Sequence, residues 1–580
     1  MIPEVRRGLV DGVTVLNTGS SDGHSAAMLM FRVGRFDETL PTAGITHLVE
    51  HLACSGLGTP GYQFNAEVNG RFTTFVMAGG QAPDVTDFVA AVCRGLTADH
   101  SSRIEQERRV LRTEAASRGG PGGIGLCLLE RYGAAGPGLA GYEEYGLRKV
   151  HWDQVDSWRQ RWFVAENAVL CVVGELPADL RVDLPTGQVP AMSALPQWAG
   201  QLPAFTVIGR SGIGMSMTGT GSVASAAALT ILQQRLTHDL RHEHGLSYSV
   251  AASAEHLDAS TRHAWLAADA LRESAPMAAH VALGTFEKLI DSGCTADELA
   301  DYSRRTRDAY ESQAGGLLAM HGQAQNLLTD RPVRSPDETL RLIGDLSGGE
   351  IAAAAKDLFS SMIFASPGLL PAVQGRLPRL PQWSSAEIED GVRYQSQGSQ
   401  ASLTIGDQGV MLTVKPGHFA SVPAGQVAAL LKWNDSKLTL IGLDGFRIEI
   451  DPAAWDGADA AIRKLESGVP DDLIVPIDAA GPAAQTAVAS AAATTPAPGA
   501  GSQAGDVRSA AVTRKRIRSR QTVAAVILAA WAAILIIALA TRVITPPMFG
   551  IFLAASFGST LWRLAEIRRR KSKLRSKGGP

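Results

Sequence analysis

The chain has 580 residues, a formal net charge of −3, 19% charged and 6% aromatic residues. That length exceeds one ordinary domain and leads us to expect three or four. The near-neutral balance excludes a whole-chain field that would draw nucleic acid or acidic substrates. Cys54, Cys93, Cys127, Cys171 and Cys294 are odd in number and form no C-x-x-C pair, so they read as thiols of a reducing compartment. Met1 to Arg7 lead into no apolar stretch, and no signal peptide is expected there.

Residues 1–185 read as a mixed α/β unit. Strands are predicted at 13–16 and 26–33, a helix at 40–55, a strand at 71–77 and helices at 84–98 and 102–116. Inside the first helix stands His47-Leu48-Val49-Glu50-His51, an H-x-x-E-H sequence. Helical positions i and i+4 share a face, so both imidazoles can reach one metal ion with Glu50 beside them. Two neutral imidazoles and a carboxylate suit Zn²⁺ better than Mg²⁺ or Ca²⁺, which prefer oxygen shells. The competing reading is a pair of surface histidines on an amphipathic helix, and context must decide. A third ligand is needed. The segment 103–114 offers Glu107 and Glu114, two helical turns apart on one face, while Glu105 points elsewhere.

A Pro-rich connection over 184–203 leads into a second unit at 204–372 with a similar order of elements. Two short strands precede a helix at 223–242, strands follow at 246–253 and 264–271, and helices at 275–291, 296–313 and 317–328. His242 and His244 near the end of its first helix read as a solvated helix terminus rather than a metal pair. From 385 to 468 the pattern changes to short alternating strands at 403–405, 410–414, 437–441 and 446–450, then a helix at 458–465. A small β-barrel capped by a helix resembles a pleckstrin-homology-like module in pattern alone. Residues 478–511, rich in Ala, Pro, Gly, Ser and Thr, read as a flexible tether. Residues 522–541 are uncharged and long enough to span a bilayer, and 543–562 form a second, weaker span. Basic clusters precede the first and follow the second, ending in a basic tail at 563–580, which places both flanks in the cytosol.

Several of these stretches together resemble the pitrilysin/insulinase family of zinc peptidases. They are the H-x-x-E-H motif, the Glu107-to-Glu114 spacing, Gly34-Arg35-Phe36-Asp37-Glu38, Asn65-Ala66 with Thr73-Thr74-Phe75, and Phe163 to Leu170 running to Gly174. The resemblance implies zinc held by His47, His51 and Glu114, Glu50 as general base and Glu107 as a supporting carboxylate. It implies that Asn65 lies on the strand flanking the cleft. Leu240-Arg241-His242-Glu243-His244-Gly245-Leu246-Ser247-Tyr248-Ser249 is similar to the family's L-R-x-x-x-G-L-x-Y-S motif, whose Arg and Tyr hydrogen-bond the substrate carbonyl. Arg241 and Tyr248 match it; read alone, they are an Arg at a helix C-terminus and a Tyr in a strand. One departure stands out. The family usually has about fourteen more residues between the second His and the ligand Glu, which loop-length variation allows and which would reshape substrate access.

The expected protein is thus α+β: two duplicated α/β units, the first catalytic and the second without zinc, a small β-rich domain and a C-terminal transmembrane helical hairpin. The expected activity is a membrane-anchored zinc endopeptidase acting on peptides at the cytosolic face. It would work as a homodimer or beside a related subunit, since in relatives with two such units the second half of the clamshell comes from another chain. The rival reading is a catalytically idle partner subunit or membrane scaffold that binds peptides.

Overall fold

Val13 and Val15 on one strand, and Ala27, Leu29 and Phe31 on another, are fully buried at every second position. This period of two lays one apolar face of a sheet against helices. In the computed structural model of the chain, the described residues are 2–478 without 21–22, 56–60, 119–121, 193–194 and 210. The first sheet contains β1 (Arg6–Val10), β2 (Val13–Thr18), β3 (Ser25–Phe31), β4 (Gln63–Val68), β5 (Thr73–Gly80) and β6 (Ala168–Val173). Their order is β1-β2-β6-β3-β5-β4, with β2 and β6 parallel and every other pair antiparallel. The helices of this unit are α1 (Ile45–Cys54), α2 (Ala82–Thr97), α3 (Ile104–Arg118), α4 (Gly123–Tyr132) and α5 (Trp152–Trp162). Side chains of α1, α2 and α5 fill one core with the sheet, among them Leu48, Leu52, Phe88, Val92 and Trp162.

The second sheet holds β7 (Ala204–Val207), β8 (Ile213–Thr220), β9 (Val250–His256), β10 (Thr261–Ala268) and β11 (Ile363–Ser366). Its order, β7-β11-β8-β10-β9, with β7 and β11 parallel, repeats the order β2-β6-β3-β5-β4 of the first. The duplication expected from the sequence is therefore a duplication of topology. Its helices are α6 (Val223–Thr237), α7 (Ala275–Ser292), α8 (Ala296–Glu311), α9 (Gly315–Leu328), α10 (Pro336–Gly344) and α11 (Gly348–Ser360).

The two units exchange helices across their sheets. Met320 and Ala324 of α9 pack on Leu16, Met28, Met30 and Cys171, the far face of the first sheet. In return, Cys127 of α4 packs on Ala204, Ile363 and Ala365 of the second. Arg131 of α4 is buried there, and its Nη2 donates to the carbonyls of Ser216 (3.0 Å) and Ser361 (2.5 Å). Beside it Ser216 Oγ lies 2.9 Å from His263 Nε2, and His263 Nδ1 lies 3.6 Å from Glu255 Oε1. Ser216 and His263 are fully buried, so this serine–histidine–glutamate line meets no substrate and belongs to the packing between units. A second buried knot ties Asp37 to Arg71 at 3.2 Å and Arg32 at 3.6 Å, while Arg71 Nε donates to the Leu257 carbonyl at 2.8 Å.

The third module consists of β12 (Val392–Gln395), β13 (Ser402–Gly406), β14 (Gly409–Lys415), β15 (His418–Pro423), β16 (Val427–Trp433), β17 (Leu438–Gly442), β18 (Arg447–Ile450) and β19 (Ile474–Ile477). They form two four-stranded sheets around one core that also takes Ile462 of the helix Asp459–Gly468. That helix is not the last element: β19 follows it and pairs parallel with β16. Strand β16 escaped the alternation search because it is apolar on both faces. Leu430 enters the module's own core while Ala428 and Leu431 pack with Leu40, Ala134 and Leu139 of the first unit.

Several boundaries differ from the sequence expectation. The helix expected at 40–55 is a 3₁₀ turn at Leu40–Thr42 and then α1, because Gly44 sits at φ 96° between them. The edge strand β1 was not foreseen, since it has no buried face to signal it, whereas β4 is the strand that the resemblance placed at Asn65-Ala66, with Phe64 and Ala66 turned to the core. The strand expected from 246 begins only at Val250: one oxygen of Asp269 accepts from Ser247 Oγ and the Tyr248 and Ser249 amides, holding those residues in a loop. Among the described residues no helix is long and apolar enough to cross a membrane. The expected spans at 522–541 and 543–562, the basic tail and the tether beyond Asp478 lie outside the described residues.

Arg131 supplies a polar tie between units, beside that of Arg71, so Arg131→Ala should destabilise the chain by roughly 2–4 kcal/mol through two orphaned carbonyl contacts and a cavity. Denaturant unfolding of the full chain checks this; a midpoint unchanged from wild type would refute the role.

Candidate active site

Helix α1 carries two stripes. Ile45, Leu48, Val49 and Leu52 face the core, whereas His47, Glu50, His51 and Cys54 recur at helical spacing on the opposite side. Its first turn is anchored by a side chain from outside the helix. The Glu38 carboxylate accepts the amides of Gly44 (2.8 Å) and Thr46 (2.9 Å), satisfying two N–H groups that a helix start leaves orphaned. Burial pushes the Glu38 carboxyl up to about 7, against the pull of those two donors. A Cβ on Gly44 would stand 2.9 Å from both Glu144 Cβ and Leu147 Cγ, so the glycine lets the 144–147 turn close on the helix. At the other end a Cβ on Gly95 would meet the Ala53 carbonyl oxygen at 2.2 Å, so α2 also seats directly on α1.

These constraints set the imidazoles. His47 Nδ1 lies 3.1 Å from Glu144 Oε1, and His51 Nδ1 lies 3.5 Å from Glu107 Oε2. The His47–Glu144 hydrogen bond fixes that ring's tautomer and orientation and makes its Nε2 the better ligand, while Glu107 faces His51 Nδ1 at the longer distance. Both Nε2 atoms turn toward Glu114 of α3: its Oε2 is 3.9 Å from His47 Nε2 and 3.6 Å from His51 Nε2. Two zinc bonds of about 2.0–2.1 Å at a tetrahedral angle separate their donors by roughly 3.4 Å. The donor set and its spacing therefore fit zinc with small adjustment of one exposed glutamate. Glu50 Oε2 stands 3.9 Å from both Nε2 atoms, about as near as Glu114, and with the two histidines forms a group whose ligand atoms lie within 4.8 Å of one another.

Glu50 is buried, and burial pushes its carboxyl above the ordinary range; His51 and then His47 pull it down, and Glu114 adds to the rise. Cys54 Sγ approaches Glu50 Oε1 at 3.8 Å, and burial and Glu50 push the thiol up, so it stands as a neutral weak donor. The group opens into a cleft of about 530 Å³ whose lining also includes Arg35, Phe64, Asn65 and Glu67. Asn65 lies on β4, the edge strand of the first sheet.

The structure thus gathers His47, Glu50, His51, Glu107 and Glu114, and sets Asn65 on the wall. It does not bring Arg241 and Tyr248 to them: all lining residues of the cleft come from the first unit. Arg241 instead stacks on the Tyr248 ring, 5.1 Å from its centroid, and Tyr248 is 75% exposed. Sequence reasoning missed Glu144, which no spacing rule links to a helix ninety-seven positions earlier. It also missed Glu38, whose place six residues before Gly44 was a usable signal for a helix-capping acid.

Compared with known proteins, no family model matches the chain. Its sequence is 27% identical over 241 residues to the chloroplastic stromal processing peptidase of Oryza sativa subsp. indica, covering 36% of this chain. The chain spans only 19% of that relative's length. Among solved structures it is similar to a protease from Helicobacter pylori, with a TM-score of 0.53 and 14% identity, over 63% of this chain and 100% of that one. It is also similar to the peptidase M16 inactive domain from Pseudomonas fluorescens, with a TM-score of 0.51 and 17% identity, over 63% and 99% of the two chains. The fold is therefore that of M16 peptidase domains, a fold shared by a protease and an inactive domain alike.

Because Glu144 holds His47, Glu144→Gln should weaken zinc binding by roughly 10–100-fold while leaving the fold intact. Metal competition against a chromogenic chelator measures it, and an unaltered affinity would remove Glu144 from the site.

Proposed function

We propose that the chain is a zinc-dependent endopeptidase. The observation that carries this reading is the convergence of His47 Nε2, His51 Nε2 and Glu114 Oε2, with the buried Glu50 beside them in an open cleft. His47, His51 and Glu114 would hold the ion, and Glu107 and Glu144 would orient the rings. Zinc, when bound, supplies Lewis acidity for the scissile carbonyl and for a water molecule. Glu50 takes the proton of the attacking water and returns it to the leaving amine; its raised pKa suits both halves of that exchange. Extended peptide fits the cleft because β4 ends its sheet, and its free edge offers main-chain partners to an added strand.

The second reading, an idle partner subunit, has an inactive domain of the same fold in its favour. The intact ligand set with its general base favours the enzyme. Arg241 and Tyr248 are outside the cleft of their own first unit, so any part they take in catalysis would have to be at a second chain's site. A membrane tether through 522–562 would confine that activity to the cytosolic face.

Two experiments bear on this. Glu50→Gln should retain stoichiometric zinc and lose turnover by about 100-fold or more, whereas His51→Ala should lose both; full activity of Glu50→Gln would end the proposed mechanism. Protonation of Glu50 stops catalysis, so kcat/KM should fall on the acid side; burial raises the carboxyl in the metal-free chain and a bound zinc opposes that rise. A kcat/KM that stays flat toward acid pH while zinc remains bound would contradict Glu50 as base.

A further inference from the structure

Arg35 lines the cleft at the end of β4, where that strand turns toward β5. Backbone contacts set its place. The Arg35 amide donates to the Asn69 carbonyl at 3.1 Å, and the Phe36 amide to the Gly70 carbonyl at 2.9 Å. A Cβ on Gly34 would stand 2.5 Å from both carbonyl oxygens, so the glycine lets this segment seat directly on the 69–70 turn.

The guanidinium held there has no acid. The two carboxylates that follow it in sequence are engaged elsewhere. Asp37 Oδ1 faces Arg71 at 3.2 Å and Arg32 at 3.6 Å, and its Oδ2 accepts the Gly34 amide at 3.0 Å. Glu38 is spent on the amides of Gly44 and Thr46. Among the described residues Arg35 forms no ion pair, and its Nε is buried without a hydrogen-bond partner. A buried donor left unpaired costs free energy until an acceptor arrives. The outer edge of β4 is free, so a peptide strand laid along it passes beside Arg35 at one end.

We infer that Arg35 is a specificity residue that takes a carboxylate of the bound peptide, an Asp or Glu side chain or the C-terminus. The inference rests on the reading of the cleft as a peptide site. A guanidinium fork matches a carboxylate with two parallel hydrogen bonds and compensates its charge, which a peptide carbonyl cannot do. The same group rejects Lys and Arg at that position by like charge.

The test compares peptides of one uncharged sequence carrying a single Glu, Gln or Lys at successive positions, each as C-terminal acid and as amide. Binding to the zinc-loaded full chain with Glu50→Gln is read by fluorescence anisotropy, so no turnover is needed. Glu at one position, or the free C-terminus, should bind about tenfold more tightly than its neutral counterpart. Arg35→Ala should erase that preference, and Arg35→Glu should turn it toward Lys at the same place. A gain confined to the free acids assigns the carboxylate to the C-terminus; one that follows the Glu assigns it to a side chain. Equal binding of charged and neutral peptides overturns the role, as does a preference that survives Arg35→Ala or an absence of binding at about 1 mM. Cleavage of the same peptides by the unaltered chain tests the peptidase reading separately. Acid preference without cleavage ends that reading and keeps Arg35, whereas cleavage without preference does the reverse. Backbone amides fix the segment, so the variants should keep stoichiometric zinc, and matching circular dichroism would show that they fold.

Discussion

Polar pairing inside one wall of the first unit is the constraint on which the rest depends. His47, Glu50 and Glu107 are buried and His51 is half-buried, so each ionisable group must find a partner or lose its charge. The solution is alternation: carboxylate, imidazole, carboxylate, from Glu144 through His47 to Glu114, and from Glu107 through His51 to the same Glu114. Two elements, α3 and the 144–147 turn, bring these acids to the imidazoles of α1, so the arrangement exists only when all three are docked together. Gly44 leaves room for the 144–147 turn to close on α1, and Gly95 does the same for α2, each at a distance that a Cβ would not permit.

The remainder of the chain braces this arrangement. The third module packs Ala428, Leu431, Ile441 and Val475 onto Leu40, Leu139, Tyr142 and Tyr145, the segments on either side of Glu144's turn. Lys149 adds three bonds, donating to the carbonyls of Asp471, Asp472 and Ile474. A β-rich appendage thereby supports the orientation of one histidine. The exchange of α4 and α9 between sheets has a comparable effect, because neither unit can shift without uncovering the other's apolar face.

The second unit repeats the strand order of the first without its histidine and carboxylate group. The corresponding helix α6 has no H-x-x-E-H and ends in a π-turn with its own cluster of polar groups. Duplication followed by divergence of side chains on one scaffold separates fold from function here, as expected when a site is grafted on a shared architecture. The likeness to both a protease and an inactive domain makes the same point.

His47, Glu50 and His51 were legible in the sequence because helical periodicity is local: residues three and four apart share a face whatever surrounds them. Glu107 and Glu114 were legible as a pair for the same reason, and most helices and the alternating strands declared themselves by period. Glu144 and Glu38 were not, since their roles depend on a turn and a helix start meeting in space, and β16 was not, since burial on both faces erases alternation. Sequence alone determined which side chains one helix presents together. Tertiary structure decided which carboxylates reach them, because those distances depend on packing between segments that no periodicity connects.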